Sequence, residues 1–268
     1  MRAWWRSALL VALLSASAAG AAEHLVTLPT REGVTQSFLL SSPAIQPAAV
    51  AVLFPGGPGS IRLRTENGQI KFSPGNFVVR ARGFFAGRGI AAAVIDAPSD
   101  QQDGMANQFR RSDSHVNDIR AVVADLKKRF PDIPVFLVGT SMGTVSAAYA
   151  GRALATEVAG VILTSTVFVP SGRHSKHGDG NLSGFDYAAI PVPLLFVHHA
   201  EDACYMTPYP EANRQAAHYP LITVHGGDPP KSDPCEAFSA HGYLGKERET
   251  VEAIVNWMLK KPYRDNID

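Results

Sequence analysis

The chain has 268 residues, of which 46% are hydrophobic and 18% are charged, and its formal net charge is +1. This composition is typical of a globular protein, and one domain is the simplest count for this length. A charge so close to zero gives no reason to predict nucleic acid or an anionic membrane surface as a partner.

The first 22 residues have the pattern of a secretory signal peptide. Two arginines precede an apolar stretch at 8–14, and small residues then lead to Ala22. This stretch is short for a membrane span, so a membrane anchor is the less favoured alternative. We predict cleavage after Ala22, with Ala19 as the alternative site. Residues 23–268 would then form one exported domain, periplasmic or secreted, without stable membrane insertion.

Strand patterns and helical patterns alternate along the rest of the chain. Strands are predicted at 34–40, 50–54, 90–95, 135–138, 160–164, 194–198 and, as the last, 221–224. Helices are predicted at 76–87, 113–129, 142–154 and 248–260, with a rim loop at 168–190. Strands that are apolar throughout need cover on both faces. The pattern therefore predicts an α/β fold with a mostly parallel central sheet and helices on both faces.

The most informative motif is Gly-Thr-Ser-Met-Gly at residues 139–143, between a predicted strand and a predicted helix. In this context the motif indicates a nucleophile elbow, a sharp turn that exposes the serine at the end of the sheet. The glycines allow neighbouring backbone segments to approach closely. Ser141 is therefore the candidate nucleophile.

A serine hydroxyl needs a base, and the base needs an acid that orients it. Asp202 follows the predicted strand at 194–198 and is the candidate acid, with Glu201 as its rival. His241, just before the last helix, is the candidate base, and His225 is the main alternative. The order serine, acid, histidine is the one that a sheet of this type requires.

The two cysteines, Cys204 and Cys235, lie near the acid and the histidine in the sequence. In an oxidising compartment such a pair usually forms a disulfide, with two free buried thiols as the alternative. The predicted bridge would join the Asp202 loop to the His241 loop.

An oxyanion hole requires backbone N–H groups directed at the developing negative charge. Met142, directly after the serine, is expected to supply one. The glycine-rich segment 55–59 follows an early predicted strand and should supply the other. Pro58 has no N–H, so Gly57 is the better candidate; a plain Gly/Pro turn is the alternative interpretation.

These motifs resemble those of the α/β-hydrolase fold family, and the resemblance covers nearly all of the mature chain. Residues 139–143 match the elbow, Asp202 the acid and His241 the base, whereas Pro55 stands where the family's oxyanion loop commonly begins with histidine. Residues 56–59 also resemble proline iminopeptidases, but the chain has no room for the helical cap of those enzymes, so their specificity is not carried over.

The resemblance implies a serine hydrolase that cleaves small or polymeric carboxylic esters through an acyl-enzyme, without a metal or cofactor. An amidase or peptidase with the same residues is the alternative. A non-catalytic binding protein on this fold is less favoured, because no member of the expected Ser-His-Asp set is missing.

Overall fold

Nine strands form one continuous sheet in the part of the chain that this computed structural model describes, residues 21–170 and 181–268. In chain order the strands are β1 (Ala22–Arg31), β2 (Val34–Ser42), β3 (Ala49–Phe54), β4 (Arg64–Glu66), β5 (Gln69–Lys71), β6 (Ile90–Ile95), β7 (Val135–Thr140), β8 (Gly160–Thr164), β9 (Leu194–His199), β10 (Leu221–Val224) and β11 (Asn266–Ile267). The sheet order is β1-β2-β6-β3-β7-β8-β9-β10-β11, and β4 and β5 form a separate hairpin. The β1–β2 and β2–β6 pairs are antiparallel, and the other pairs of the sheet are parallel.

Helices cover both faces of this sheet. They are α1 (Phe77–Ala86), α2 (Asn107–Arg110), α3 (Asp113–Arg129), α4 (Gly143–Leu154), α5 (Tyr209–Gln215) and α6 (Glu247–Met258). Short 3-10 turns occupy Ala155–Glu157, Tyr187–Ala189 and Ala240–Gly242. Within the described ranges, no helix is both long enough and apolar enough to cross a membrane.

The hydrophobic core has two layers, one on each face of the sheet. In β3, Val50 and Val52 contribute to the layer shared with α3 and α4, whereas Ala51 and Leu53 contribute to the layer shared with α1 and α6. Successive side chains of a strand point to opposite faces, so a strand that serves both layers must be apolar at every position. Every residue of β3, β6, β7 and β9 is accordingly buried.

The strand order creates a crevice at one point of the sheet. β3 lies between β6 and β7. The chain passes from β3 to β6 on one side, and later crosses to β7 on the other side, so the direction of the strand order reverses at β3. A ligand site in an open parallel sheet forms at such a reversal, beyond the carboxyl ends of the strands. The segment after β3 and the turn after β7 meet there.

The predicted α/β fold with a mostly parallel sheet is confirmed, and the seven predicted strands are present. The prediction that 221–224 is the last strand is wrong, because Asn266–Ile267 pairs in parallel with it. Four further elements were not predicted: β1, the β4–β5 hairpin, α2 and α5. Most of the predicted signal peptide, residues 1–20, and part of the predicted rim loop, residues 171–180, lie outside the described residues.

Candidate active site

Ser141 occupies the sharp turn between β7 and α4. Its φ angle of 52° lies in the left-handed region, where a residue with a Cβ is strained. A Cβ at position 139 would lie 2.5 Å from the Gly143 carbonyl oxygen, and a Cβ at position 143 would overlap the Phe54 carbonyl group. The Ser141 carbonyl accepts hydrogen bonds from the Thr144 N–H at 2.9 Å and the Thr144 hydroxyl at 2.6 Å. Tight packing and hydrogen bonds therefore hold the turn that the motif predicts.

His241 lies in the 3-10 turn before α6, with its backbone fixed on both sides. The Ser239 hydroxyl accepts the His241 N–H at 3.2 Å, and the Ser165 hydroxyl donates to the His241 carbonyl at 2.8 Å. The imidazole Nδ1 is 2.9 Å from Asp202 Oδ2. Nε2 is buried and has no hydrogen-bond partner within the described residues. With a proton on Nδ1 shared with Asp202, Nε2 is left as the basic nitrogen.

Asp202 lies just beyond the carboxyl end of β9 and is a buried carboxylate with several donors. Its Oδ1 accepts the Cys204 N–H at 2.9 Å, and its Oδ2 accepts the Thr207 hydroxyl at 2.7 Å as well as the histidine. Burial raises the pKa of Asp202, but the His241 contact and these hydrogen bonds outweigh it, and the net pKa lies below the usual value. Asp202 is thus ionised at neutral pH and suited to orienting an imidazole.

Two further residues support the histidine, and neither was predicted from the sequence. The Thr207 hydroxyl lies 3.2 Å from His241 Nδ1 in addition to its bond with Asp202. The fully buried Tyr243 donates its hydroxyl to the Val197 carbonyl at 2.7 Å and accepts from the Ser165 N–H at 3.0 Å. Ser165 in turn holds the His241 carbonyl. Thr207 lies 34 residues from His241 in the chain, and Tyr243 lies 46 and 78 residues from its partners, so no local pattern marks these contacts.

The rival acid and the rival base contact each other instead of the serine. Glu201 Oε1 lies 3.1 Å from His225 Nδ1, and Glu201 Oε2 lies 3.0 Å from His199 Nδ1. Neither Glu201 nor His225 lines the cavity that contains Ser141. Asp202 and His241 are the residues that the fold brings to the site.

A disulfide joins Cys204 to Cys235, with a Cα–Cα distance of 4.5 Å, as predicted. It connects the loop that carries Asp202 to the segment that leads into the His241 turn. A covalent bridge of this kind limits how far the two loops can separate, and thereby protects the hydrogen bond between them.

A cavity of about 540 Å³ opens beyond the carboxyl ends of β3 and β7. Ser141 and His241 both line it, whereas Asp202 lies behind the histidine. No hydrogen bond joins His241 Nε2 to the serine hydroxyl here; such bonds are often long in ligand-free sites. An apolar wall adjoins the serine and includes Ile61, Phe77, Met206 and Phe238.

Both predicted oxyanion donors also line this cavity. Met142 caps α4, and Gly57 has a φ angle of 58°, in the left-handed region. Within the described residues, neither backbone N–H is used in another hydrogen bond. Gly56 lets the loop approach the nucleophile, because a Cβ there would lie 2.9 Å from the Cβ of Ser141. Two unused donors thus belong to residues that line the same cavity as the serine, as a developing oxyanion would need.

The fold and the strand–serine–helix turn define an α/β serine hydrolase. The family model for serine aminopeptidase S33 matches residues 83–227, just over half of the chain, and the chain belongs to this family. The matched segment contains Ser141 and Asp202 but ends before His241. No curated protein matches the sequence significantly.

Three solved structures of similar fold are distant in sequence. Est1E from Butyrivibrio proteoclasticus is 15% identical with a TM-score of 0.59, and the alignment covers 88% of this chain and 98% of Est1E. XC6422 from Xanthomonas campestris, described as a serine hydrolase without a lid, is 16% identical with a TM-score of 0.56, covering 90% and 97%. The acylaminoacyl peptidase of Pyrococcus horikoshii is 13% identical with a TM-score of 0.57, covering 90% of this chain and 41% of the peptidase. At these identities the likeness establishes the fold.

Proposed function

We propose that this protein hydrolyses carboxylic esters with Ser141 as nucleophile, His241 as base and Asp202 as the acid that orients it. The observation that carries the proposal is the 2.9 Å contact between His241 Nδ1 and Asp202, which leaves a buried Nε2 that has no partner among the described residues, at the cavity that the strained Ser141 also lines. This is the arrangement that serine acyl transfer requires.

The proposed reaction has two halves. Ser141 Oγ attacks the ester carbonyl carbon while its proton passes to His241 Nε2, and the N–H groups of Gly57 and Met142 bind the oxyanion. Collapse of this intermediate breaks the bond to the alcohol, which leaves with the proton from His241. Water then attacks the acyl-enzyme, the histidine again accepts and returns a proton, and the carboxylic acid departs. Asp202 stays ionised and stabilises the imidazolium in both halves.

The cavity supports an ester with an apolar acyl or alcohol group. Phe77 and Ile61 are almost fully buried and present a rigid wall, and Phe238 is 42% exposed at the same cavity. Contact with such a wall gains free energy from the apolar area that it removes from water. No organic cofactor is needed for this chemistry.

A peptidase that acts on free amino termini is the second candidate. Among the described residues that line the cavity, Glu236 is the single acidic one, and it is exposed there. A carboxylate at this place would attract a substrate ammonium group. The family's description and the peptidase among the structural neighbours are consistent with this candidate.

The two candidates are separated by a substrate panel with a matched pair of variants. We expect higher kcat/KM for p-nitrophenyl acetate and butyrate than for aminoacyl p-nitroanilides, and E236Q should leave ester turnover within about twofold because solvent screens an exposed charge. E249Q, which removes an exposed carboxylate on α6, is the control. Rapid anilide turnover with negligible ester turnover, and its selective loss in E236Q, would establish the peptidase instead.

We further propose that the protein acts after export, in the periplasm or outside the cell. The Cys204–Cys235 disulfide supports this location, because such bonds persist mainly in oxidising compartments. β1 begins at Ala22, the predicted cleavage point, so the first strand would remain nearly complete after cleavage.

A further inference from the structure

We propose that Arg110 is a positioning residue: it holds in place the two backbone segments that carry the proposed oxyanion donors. The inference rests on the proposed function. It concerns residues 55–59, which we call the oxyanion loop, and the amino-terminal end of α4.

The oxyanion loop gains rigidity from Pro55 and Pro58 but not from its glycines. Three of its five residues are glycines, and Gly57 and Gly59 both have left-handed φ angles, of 58° and 74°. Glycine explores more backbone conformations than any other residue, so such a loop tends to sample many positions. The backbone bond within the loop, from the Gly59 N–H to the Gly56 carbonyl, is 3.2 Å long. Contacts from outside must hold Gly57 in place.

Arg110 makes the contact that holds this residue. Its side chain is completely buried, and its Nη2 donates to the Gly57 carbonyl at 2.9 Å. Nη1 of the same guanidinium donates to the Ser146 hydroxyl at 3.0 Å. Ser146 lies on α4, four residues after Met142, the other proposed oxyanion donor. One rigid planar group therefore spans the two segments that carry the two donors.

The packing around Arg110 is closely matched to the loop. A Cβ at Gly59 would lie 2.4 Å from Met105 Cε and 2.6 Å from Arg110 Nη2, so a side chain there would displace one or both of these groups. The Met105 N–H donates to the Pro58 carbonyl at 2.8 Å, which ties the loop to the segment before α2 as well. The oxyanion loop is thus packed against Arg110 and hydrogen-bonded to the segment before α2.

Burying the charged Arg110 side chain destabilises the folded protein, and few contacts offset this effect. Within the described residues it has no carboxylate partner, and its Nε has no hydrogen-bond acceptor. Burial lowers the pKa of Arg110 from its ordinary value to about 10, which still leaves the group charged at neutral pH. A buried cation whose partners in the described part of the chain are one carbonyl and one hydroxyl destabilises the fold. Features that break a folding rule without compensation tend to be found at functional sites.

The test measures how fast Ser141 reacts with a fluorophosphonate, alongside kcat and KM for a p-nitrophenyl ester. The phosphonyl oxygen also needs the oxyanion donors, so this rate is informative whether the natural substrate is an ester or an amide. Displacing a catalytic group by about 1 Å can cost roughly 100-fold. We expect R110M to lower both the labelling rate and kcat by about 10- to 100-fold, with KM changed by less than about threefold.

Two variants make the result interpretable if R110M folds poorly. S146A removes the contact to α4 with a small side-chain change and should lower kcat by about 3- to 10-fold, again with little change in KM. R120M removes a partly exposed arginine that pairs with Glu157 and should behave as wild type. If folded R110M or S146A labels at the wild-type rate, the positioning role is wrong and the proposed function stands. If wild-type protein is not labelled at all, the proposed function fails and this inference fails with it.

Discussion

Asp202 and His241 derive their geometry from residues that take no part in the proposed chemistry. Thr207 and the Cys204 N–H complete the hydrogen bonding of the carboxylate, and Ser165 holds the histidine carbonyl. A carboxylate that receives several hydrogen bonds cannot rotate freely, so it presents one oxygen to Nδ1. The tautomer with a basic Nε2 is then the favoured one.

The ionised Asp202 should also stabilise the folded protein in a pH-dependent way. Its folded-state pKa lies below the ordinary value of an aspartate side chain. The carboxylate therefore contributes stability above about pH 4, and this contribution is lost as pH falls through the folded-state value. Melting temperatures of wild type and D202N, measured from pH 7 to pH 3, should show wild type losing its advantage over D202N in acid.

D125N is the matched control, because Asp125 is a surface partner of Arg129. At every pH in this range, the melting temperature of D125N should differ from that of wild type by nearly the same amount. A wild-type advantage over D202N that grows as pH falls would show that the carboxylate is not stabilised in the fold. D202N should also lose kcat by roughly 10⁴-fold, since the wrong imidazole tautomer is then favoured.

At the scale of elements, the site depends on how closely α4 approaches β3. The amino-terminal end of the helix packs directly against the strand's last carbonyl group, at Phe54, and there is no space between them for a side chain at Gly143. This contact sets the angle of the turn and so the position of the Ser141 hydroxyl. It also explains why the turn carries glycine at this position.

G143A should therefore destabilise the protein by about 3 kcal/mol and lower activity, because its Cβ must displace backbone rather than a flexible side chain. Gly83 on α1 is the matched control, since nothing lies within 4 Å of a Cβ there. G83A should stabilise by about 0.5–1 kcal/mol through its helix propensity. Thermal melts would measure both, and a G143A variant as stable as G83A would contradict the packing argument.

The sequence predicts the buried elements well and the peripheral ones poorly, for a physical reason. β7 and β9 are buried on both faces and begin with the apolar runs 135–138 and 194–197, a pattern that is easy to recognise. β1 is an edge strand that contains Pro29 and pairs only with β2, so it lacks a continuous apolar run. β11 has two residues, and α5 has seven beginning after Pro208. Such elements form because tertiary contacts stabilise them, and single-sequence patterns do not register those contacts.

The same distinction applies to the candidate site. Ser141 and the acid and histidine loops could be predicted because glycines and strand ends mark them locally. Arg110 and Tyr243 could not, because each acts through partners that are 36 or more residues away in sequence and adjacent only in the fold. The position of Arg110 or Tyr243 in the sequence does not indicate which backbone carbonyl its side chain will contact in the fold.

At the scale of the whole molecule, the sheet order brings separate parts of the chain to one cavity. The oxyanion loop follows β3, the serine follows β7, the acid follows β9 and the histidine precedes α6. Both core layers must be packed for these four segments to meet, and the disulfide adds a covalent link between two of them. The candidate site therefore forms when the whole fold is assembled, and this supports the proposal that its residues act together in catalysis.

The central claim is that this assembly makes Ser141 a nucleophile, and covalent labelling measures that directly. Wild-type protein treated with a fluorophosphonate and analysed by intact mass and peptide mapping should carry one adduct per chain, on Ser141. S141A should carry none, H241A should react at least about 100-fold more slowly, and S183A, at an exposed serine, should match wild type. An unlabelled wild type, or an S141A variant labelled as fast as wild type, would contradict the account.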